Sequence, residues 1–223
     1  LTVVLSPCQS FAEELLISPN PNSFAKDTAQ TSNADLKVAG TYSGFKLMSI
    51  EYMSDIDSNI MIFQHEKTGA KLMFVQNDDN ERAFSIAFRT PPSDNTGVNH
   101  IIEHSVLNGS KNYPVKSPFA QMLTRSLGSF INAMTAQDYT VYPVSSSNEK
   151  DLQNLMSVYL DAVFYPNVLK DKNIFMQEGW RYDLFTSDSP LTVNGVVYNE
   201  MKGYYSDPSW ILNDAIKNSL FPD

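Results

Sequence analysis

Two short apolar runs, residues 59–64 and 72–76, flank Thr68-Gly69-Ala70, which suits a tight connection, and together they predict a β-hairpin. A third apolar run, 83–89, stops at Pro91-Pro92, where proline removes a ladder donor. Ser93 and Asp94 then offer capping oxygens for a helix over 97–107, and Asn108-Gly109 ends it, since both tolerate positive φ. Ser117-Pro118 reads as a cap with proline in the first turn of a helix that reaches about Leu127. Residues 130–134 and 139–144 read as strands. Asn148 caps a long helix through Phe164, closed by Pro166, and Asp171 opens another through about Tyr182. Over 193–205 the signals conflict: Val196-Val197-Tyr198 favours a strand, whereas Glu200, Met201 and Lys202 favour a helix. Residues 209–220 read as a final helix. Strands and helices in this mixture, without an internal repeat, predict an α+β fold, a mixed sheet backed by helices.

Patterning weakens at the start of the chain. Leu1-Thr2-Val3-Val4-Leu5 is apolar and leads to Ser10-Phe11-Ala12, so residues 1–12 resemble the remnant of a secretory signal peptide cut after Ala12, without its basic start. Residues 13–40 read as a polar linker, richest in Ser, Asn, Pro, Thr and Asp over 17–38, and the folded domain is expected over 41–223. The signal-like start points to a secreted or extracytoplasmic protein; the alternative is cytoplasm or an organelle matrix. No apolar run reaches the roughly 20 residues that span a bilayer, so no transmembrane segment is expected.

Composition narrows the chemistry. With 16 basic and 25 acidic residues the net charge is −9, a surface that repels phosphate backbones and disfavours nucleic acid as the main partner. Cys8 is the single cysteine, which excludes an intrachain disulfide and a cysteine-built zinc site. The chain has three histidines, and two fall in His100-Ile101-Ile102-Glu103-His104. On a helix, positions i and i+4 leave the same face, about 40° apart around the axis. Their imidazole tips can converge on one ion at about 2.0–2.1 Å. Glu103 lies on an adjoining part of that face and can reach a water at the ion without being a ligand. This order is the inverzincin signature. A catalytic zinc needs a third protein ligand, for which a carboxylate suits hydrolysis. Zinc lowers the pKa of its water to about 7, and a glutamate can take the proton. The five residues alone do not decide between this and a helix carrying two structural histidines. His65, isolated in a strand, reads as structural.

Several further blocks carry a resemblance. Phe88-Arg89-Thr90-Pro91-Pro92, residues 97–109 and Tyr113-Pro114 resemble the pitrilysin and insulysin superfamily of metallopeptidases. Asn132-Ala133-Met134-Thr135, Asp138-Tyr139-Thr140, Tyr142-Pro143, Gln177-Glu178-Gly179-Trp180 and residues 195–203 resemble, more narrowly, its presequence protease and falcilysin branch. The blocks keep the family's order and run from about Gly44 to Asp223, so the resemblance is specific and spans nearly all of the folded part.

The resemblance implies a zinc endopeptidase for unstructured peptides. The third ligand would be the glutamate of the Asn-Glu-Met-Lys-Gly block, here Glu200, on a helix; His100 and His104 would be the other two ligands and Glu103 the general base. The fold would be an α/β roll. Members of the family are several times longer, with four such domains closing in two halves around a peptide, so this chain would be the N-terminal part of the first, and its partners would include the remaining domains. Family members bind peptide as an added strand beside the Asn-Ala block, here Asn132 and Ala133. A side-chain pocket near the zinc helix would draw on Leu107, Phe119 and Leu123, for which ordinary core packing is the rival reading. Glu178 reads equally as an acid that orients a zinc-bound imidazole or as a buried residue of a capped helix. Insulysin-like relatives have an acid seven positions before the ligand glutamate; here Val193 stands there. Transition-state helpers from the far half would be lacking, so the 223-residue chain alone is expected to cleave poorly. The alternative is a non-catalytic, peptide-holding family member, which typically lacks a ligand or the base; this chain keeps all four residues.

Overall fold

A computed structural model describes residues 2–5 and 36–222; the expected signal cleavage at Ala12 and linker residues 13–35 lie outside these. The main sheet uses strands β1 (Thr2–Leu5), β2 (Thr41–Tyr42), β3 (Phe45–Met53), β4 (Ser58–His65), β5 (Lys71–Gln76), β6 (Arg82–Arg89), β7 (Phe130–Ile131), β8 (Met134–Thr135) and β9 (Tyr139–Ser146). Their order is β2-β3-β4-β5-β1-β6-β9-β7, and β8 pairs with β9. Every pairing is antiparallel except that of β1 with β5, so the sheet is mixed, as expected. A second, two-stranded sheet joins β10 (Arg181–Asp183) to β11 (Thr192–Asn194).

Period-two alternation decides which sheet face is covered. Along β9, Thr140, Tyr142, Val144 and Ser146 are buried, and Phe84 and Ile86 of β6 lie on the same side. Leu47, Met61, Phe63, Leu72 and Phe74 extend this layer across β3, β4 and β5. Helix α3 (Glu149–Phe164) covers it with Leu152, Leu155, Met156, Tyr159 and Ala162, spaced at the 3.6-residue period. Asn148 caps α3 as expected, its side chain accepting from the Asp151 N–H at 3.0 Å. Val106 and Leu107 of the segment that includes α1 (Val98–Val106) complete the core. Helices α2 (Pro118–Arg125), α4 (Lys172–Glu178), α5 (Val196–Tyr204) and α6 (Pro208–Leu220) follow along the chain.

Several elements differ from the sequence expectation. Strand β3 was not anticipated, because a bulge between Leu47 and Ser49 breaks the alternation that would have marked it. The run 130–134 divides into β7 and β8, and between them the Asn132 N–H still donates to the Pro143 carbonyl at 3.2 Å. Helix α4 stops at Gly179 rather than near Tyr182, because residues 181–183 pair with β11. Thr2–Leu5, read as the remnant of a signal peptide, forms a strand between β5 and β6. Leu36 already packs on the core, so the folded part begins before Thr41. Ser117 stands in the left-handed region at φ 49° and makes no cap bond, while Asp94 accepts from the Thr96 N–H and not from the helix start. His65 is structural in setting: its ring packs on Phe45 and its Nδ1 pairs with the Thr68 hydroxyl.

One core contact reaches from α3 to the sheet end where β7 and β8 lie. The Tyr159 ring is fully buried, and its hydroxyl donates to the Asn132 carbonyl at 3.0 Å. Burial and the Glu103 carboxylate both raise the pKa of Tyr159, so the phenol stays a donor. Tyr159→Phe leaves that carbonyl without its donor and should cost about 1–3 kcal/mol of stability in chemical denaturation; an unchanged midpoint would show that the bond contributes nothing.

Candidate metal centre

Gly97, just before α1, stands in the left-handed region at φ 70°, which glycine adopts without strain, and gives the helix no side-chain cap. The Asn99 side chain donates to the Thr90 carbonyl at 2.7 Å and ties the helix start to the end of β6. Ile101, Glu103, Ser105 and Val106 of α1 are buried on more than one side of the helix. His100 and His104 are half-buried, their side chains 21% and 25% exposed, so both are open enough to bind an ion from solvent. Their rings meet edge-on at 4.9 Å between centroids, the one-turn geometry expected from the spacing.

Glu200 comes from α5. Its Oε2 lies 3.7 Å from His100 Nε2 and 3.5 Å from His104 Nε2. A tetrahedral centre with donors at 2.0–2.1 Å has donor–donor edges of about 3.4 Å, so the two separations match the edges of such a site. His100, His104 and Glu200 each offer one atom, all mutually within 4.8 Å, and are the one such group of three or more found among the described residues.

A second carboxylate lies behind His104. Glu178, at the end of α4, is 5% exposed, and its Oε2 is 3.4 Å from His104 Nδ1. Its other oxygen accepts from the Gln177 side chain at 3.0 Å. The bond to Glu178 raises the pKa of His104 in the metal-free site; burial pulls the other way, and the charges of Glu103, Glu200 and Glu178 add to the rise. Nδ1 of His104 faces the Glu178 carboxylate and its Nε2 faces that of Glu200.

Glycine 195 sets the approach of α5. A Cβ there would lie 2.1 Å from the Gly179 carbonyl oxygen, so only a glycine lets the start of α5 touch the end of α4. The Gly179 carbonyl also receives the Tyr198 N–H at 3.4 Å. This seam brings Glu178 and Glu200, one from each helix, to opposite sides of His104.

The remaining predicted residues fall in different places. Glu103 is buried beside the two histidines, and its Oε2 accepts from the Thr135 hydroxyl at 2.7 Å. Asn132 and Ala133 join β7 to β8 at the sheet edge, with Ala133 packed on the core. Leu107 is a core residue at 7% exposure, so its surface is taken up by packing rather than by an open pocket. Phe119 packs against the core from α2, and Leu123 is 54% exposed. The Thr135 contact escaped the sequence reading, because nothing local to the Asn-Ala-Met-Thr block indicates that β8 faces α1.

Comparison with known proteins gives the family and the fold. Residues 89–184 match the family model described as Insulinase (Peptidase family M16). The chain is 53% identical over 189 residues to protein HypA of Clostridium perfringens, covering 85% of this chain and 19% of that protein. It is 49% identical over 180 residues to presequence protease 1, chloroplastic/mitochondrial, of Arabidopsis thaliana, covering 81% and 17%. This chain belongs to the insulinase family. The crystal structure of pitrilysin superimposes with a TM-score of 0.50 at 22% identity, over 58% of this chain and 14% of that one, and shows the shared fold. The insulinase-family chain thus spans under a fifth of the length of the curated relatives it matches.

Gly195→Ala forces the two backbones apart at the seam. It should cost about 1–3 kcal/mol or more in thermal or chemical denaturation, the range for overpacking; wild-type stability would refute the close approach.

Proposed function

We propose that this chain carries the zinc centre of a metalloendopeptidase that hydrolyses unstructured peptides. His100, His104 and Glu200 hold the ion, Glu103 is the general base, and Glu178 orients His104. The observation that carries this reading is the match between the Nε2–Oε2 separations of 3.5 and 3.7 Å and the edges of a tetrahedral site. When bound, zinc would polarise a peptide carbonyl and acidify a water molecule. Glu103 takes the proton of that water and returns it to the leaving amine. A buried carboxylate whose Oε2 is already hydrogen-bonded suits this work, because its position is set before substrate arrives.

The peptide is proposed to bind as an extra strand along β7 and β8. Among the described residues these strands pair with β9 and with no strand on their other side. Helix α1 packs against β8, so a peptide laid on that edge passes close to the histidines. Strand addition reads backbone rather than side chains and requires an unfolded substrate. Phe119 and Leu123 are the proposed contacts for a substrate side chain; Leu107 supports them from the core. Relatives are about five times as long, and the remaining domains of such a chain are the proposed partners that complete the chamber. The 223-residue chain by itself is therefore proposed to hold zinc weakly and to turn over slowly. Export from the cell, the first expectation, finds no support among the relatives. The Arabidopsis protein is named chloroplastic/mitochondrial, which favours the alternative of an organelle matrix or the cytoplasm. No helix among the described residues is long and apolar enough to cross a membrane.

The test is metal analysis and peptide cleavage by the full-length protein. Wild type should hold one zinc and cleave. Glu103→Gln should keep the zinc and lose about 10²–10⁴-fold in kcat, the range for general acid–base catalysis. Cleavage that survives Glu103→Gln would exclude the base, and zinc without any wild-type cleavage would favour a peptide-holding role.

A further inference from the structure

The carboxylate of Glu103 is buried, and a buried charge is costly unless hydrogen-bond donors face it. The donor on its Oε2 is Thr135, at 2.7 Å. Thr135 is not alone. Its hydroxyl oxygen lies 3.3 Å from that of Thr140, its cross-strand partner between β8 and β9. The Thr140 hydroxyl lies 2.8 Å from that of Thr90, just beyond β6. Three hydroxyls from three neighbouring segments therefore form a file that ends on the proposed base.

Proton counting gives the file a direction. Each threonine hydroxyl has one proton to donate. An ionised carboxylate can only accept, so the Thr135 proton is committed to Glu103. The Thr135 oxygen must then accept, and Thr140 supplies that proton. Thr140 has none left for Thr90, so Thr90 donates to Thr140. All three O–H bonds point the same way, toward the carboxylate, an arrangement in which each bond polarises the next. Threonine is stiff at χ1, and Thr140 is 3% exposed, so the file has little freedom to turn. Its far end is anchored too: the Thr90 carbonyl accepts from Asn99, the neighbour of His100.

We infer that Thr135, backed by Thr140 and Thr90, is a positioning residue that locks the Glu103 carboxylate by one oxygen and leaves Oε1 to take the proton. The inference rests on the reading of Glu103 as the base. The three hydroxyls bond to one another and to Glu103, not to a proposed metal ligand, and a peptide added along β8 would pair with its backbone rather than with these side chains. They act through Glu103, so their removal should alter the chemical step and leave substrate and metal binding unchanged.

The experiment uses the full-length protein and steady-state cleavage of an unstructured peptide. Thr135→Val keeps the shape and deletes the hydroxyl. It should lower kcat roughly 10- to 100-fold, the worth of one hydrogen bond to a charged group, with KM, zinc content and melting temperature close to wild type. Thr135→Ser keeps the hydroxyl and should recover most of kcat, which a merely structural role for the methyl group would not allow. Thr135→Ala reads the same loss if the valine variant does not fold. In a Glu103→Gln background Thr135→Val should cause no further loss, because the residue acts through that carboxylate. A wild-type kcat in both Thr135→Val and Thr135→Ala, with Glu103→Gln inactive, would overturn the inference and leave the base standing. An active Glu103→Gln would overturn the base itself. A loss in Thr135→Val that is equally large in the Glu103→Gln background would show that the hydroxyl acts elsewhere.

Discussion

Two imidazoles one helical turn apart hold a divalent ion poorly until a carboxylate reaches them from another part of the chain. Here Glu200 is the proposed carboxylate, and its arrival depends on a backbone contact. The start of α5 lies against the end of α4 at Gly195 and Gly179, closer than any side chain would allow. The same contact brings Glu178 behind His104 while Glu200 stands in front of it. One seam thus brings up both the proposed third donor and the carboxylate that faces His104 from behind. The sheet and α4 pack against α1; the seam brings α5 to it.

Charge explains why the site needs such support. Glu178 and Glu200 lie within 4 Å of His104, Glu200 also of His100, and Glu103, on the same helix as both histidines, is buried like Glu178. Buried carboxylates that close repel one another unless cations or donors intervene. Glu178 has His104 and the Gln177 amide, and Glu103 has the Thr135 hydroxyl. Glu200, the most exposed of the three, faces both Nε2 atoms and is where a bound cation would relieve the remaining negative charge.

The parts legible in the sequence were those with local signals. The hairpin of β4 and β5, strand β6, α1 and α3 follow from periodicity, proline and caps. The pairing of His100 with His104 follows from helical geometry alone. Glu200 did not: over 193–205 strand and helix signals conflicted, and only the resemblance to a family chose the helix. The structure shows the reason for the conflict, since β11 ends at Asn194 and α5 begins at Val196, so both signals were real. Strand β3 was hidden by its bulge, and the early end of α4 by a strand pairing with residues some ten positions away. The Thr135–Glu103 bond was hidden for a deeper reason. It joins two segments whose approach is determined by the sheet and not by either segment.

A single ion between α1 and α5 is what the proposed chemistry requires. Zinc-edge anomalous diffraction from crystals of the zinc-loaded protein tests it most directly. A single strong peak within about 2.0–2.2 Å of His100 Nε2, His104 Nε2 and a Glu200 oxygen is the expected result. A peak at other residues, or an ion bound by the two histidines with the Glu200 carboxylate turned away, would contradict it.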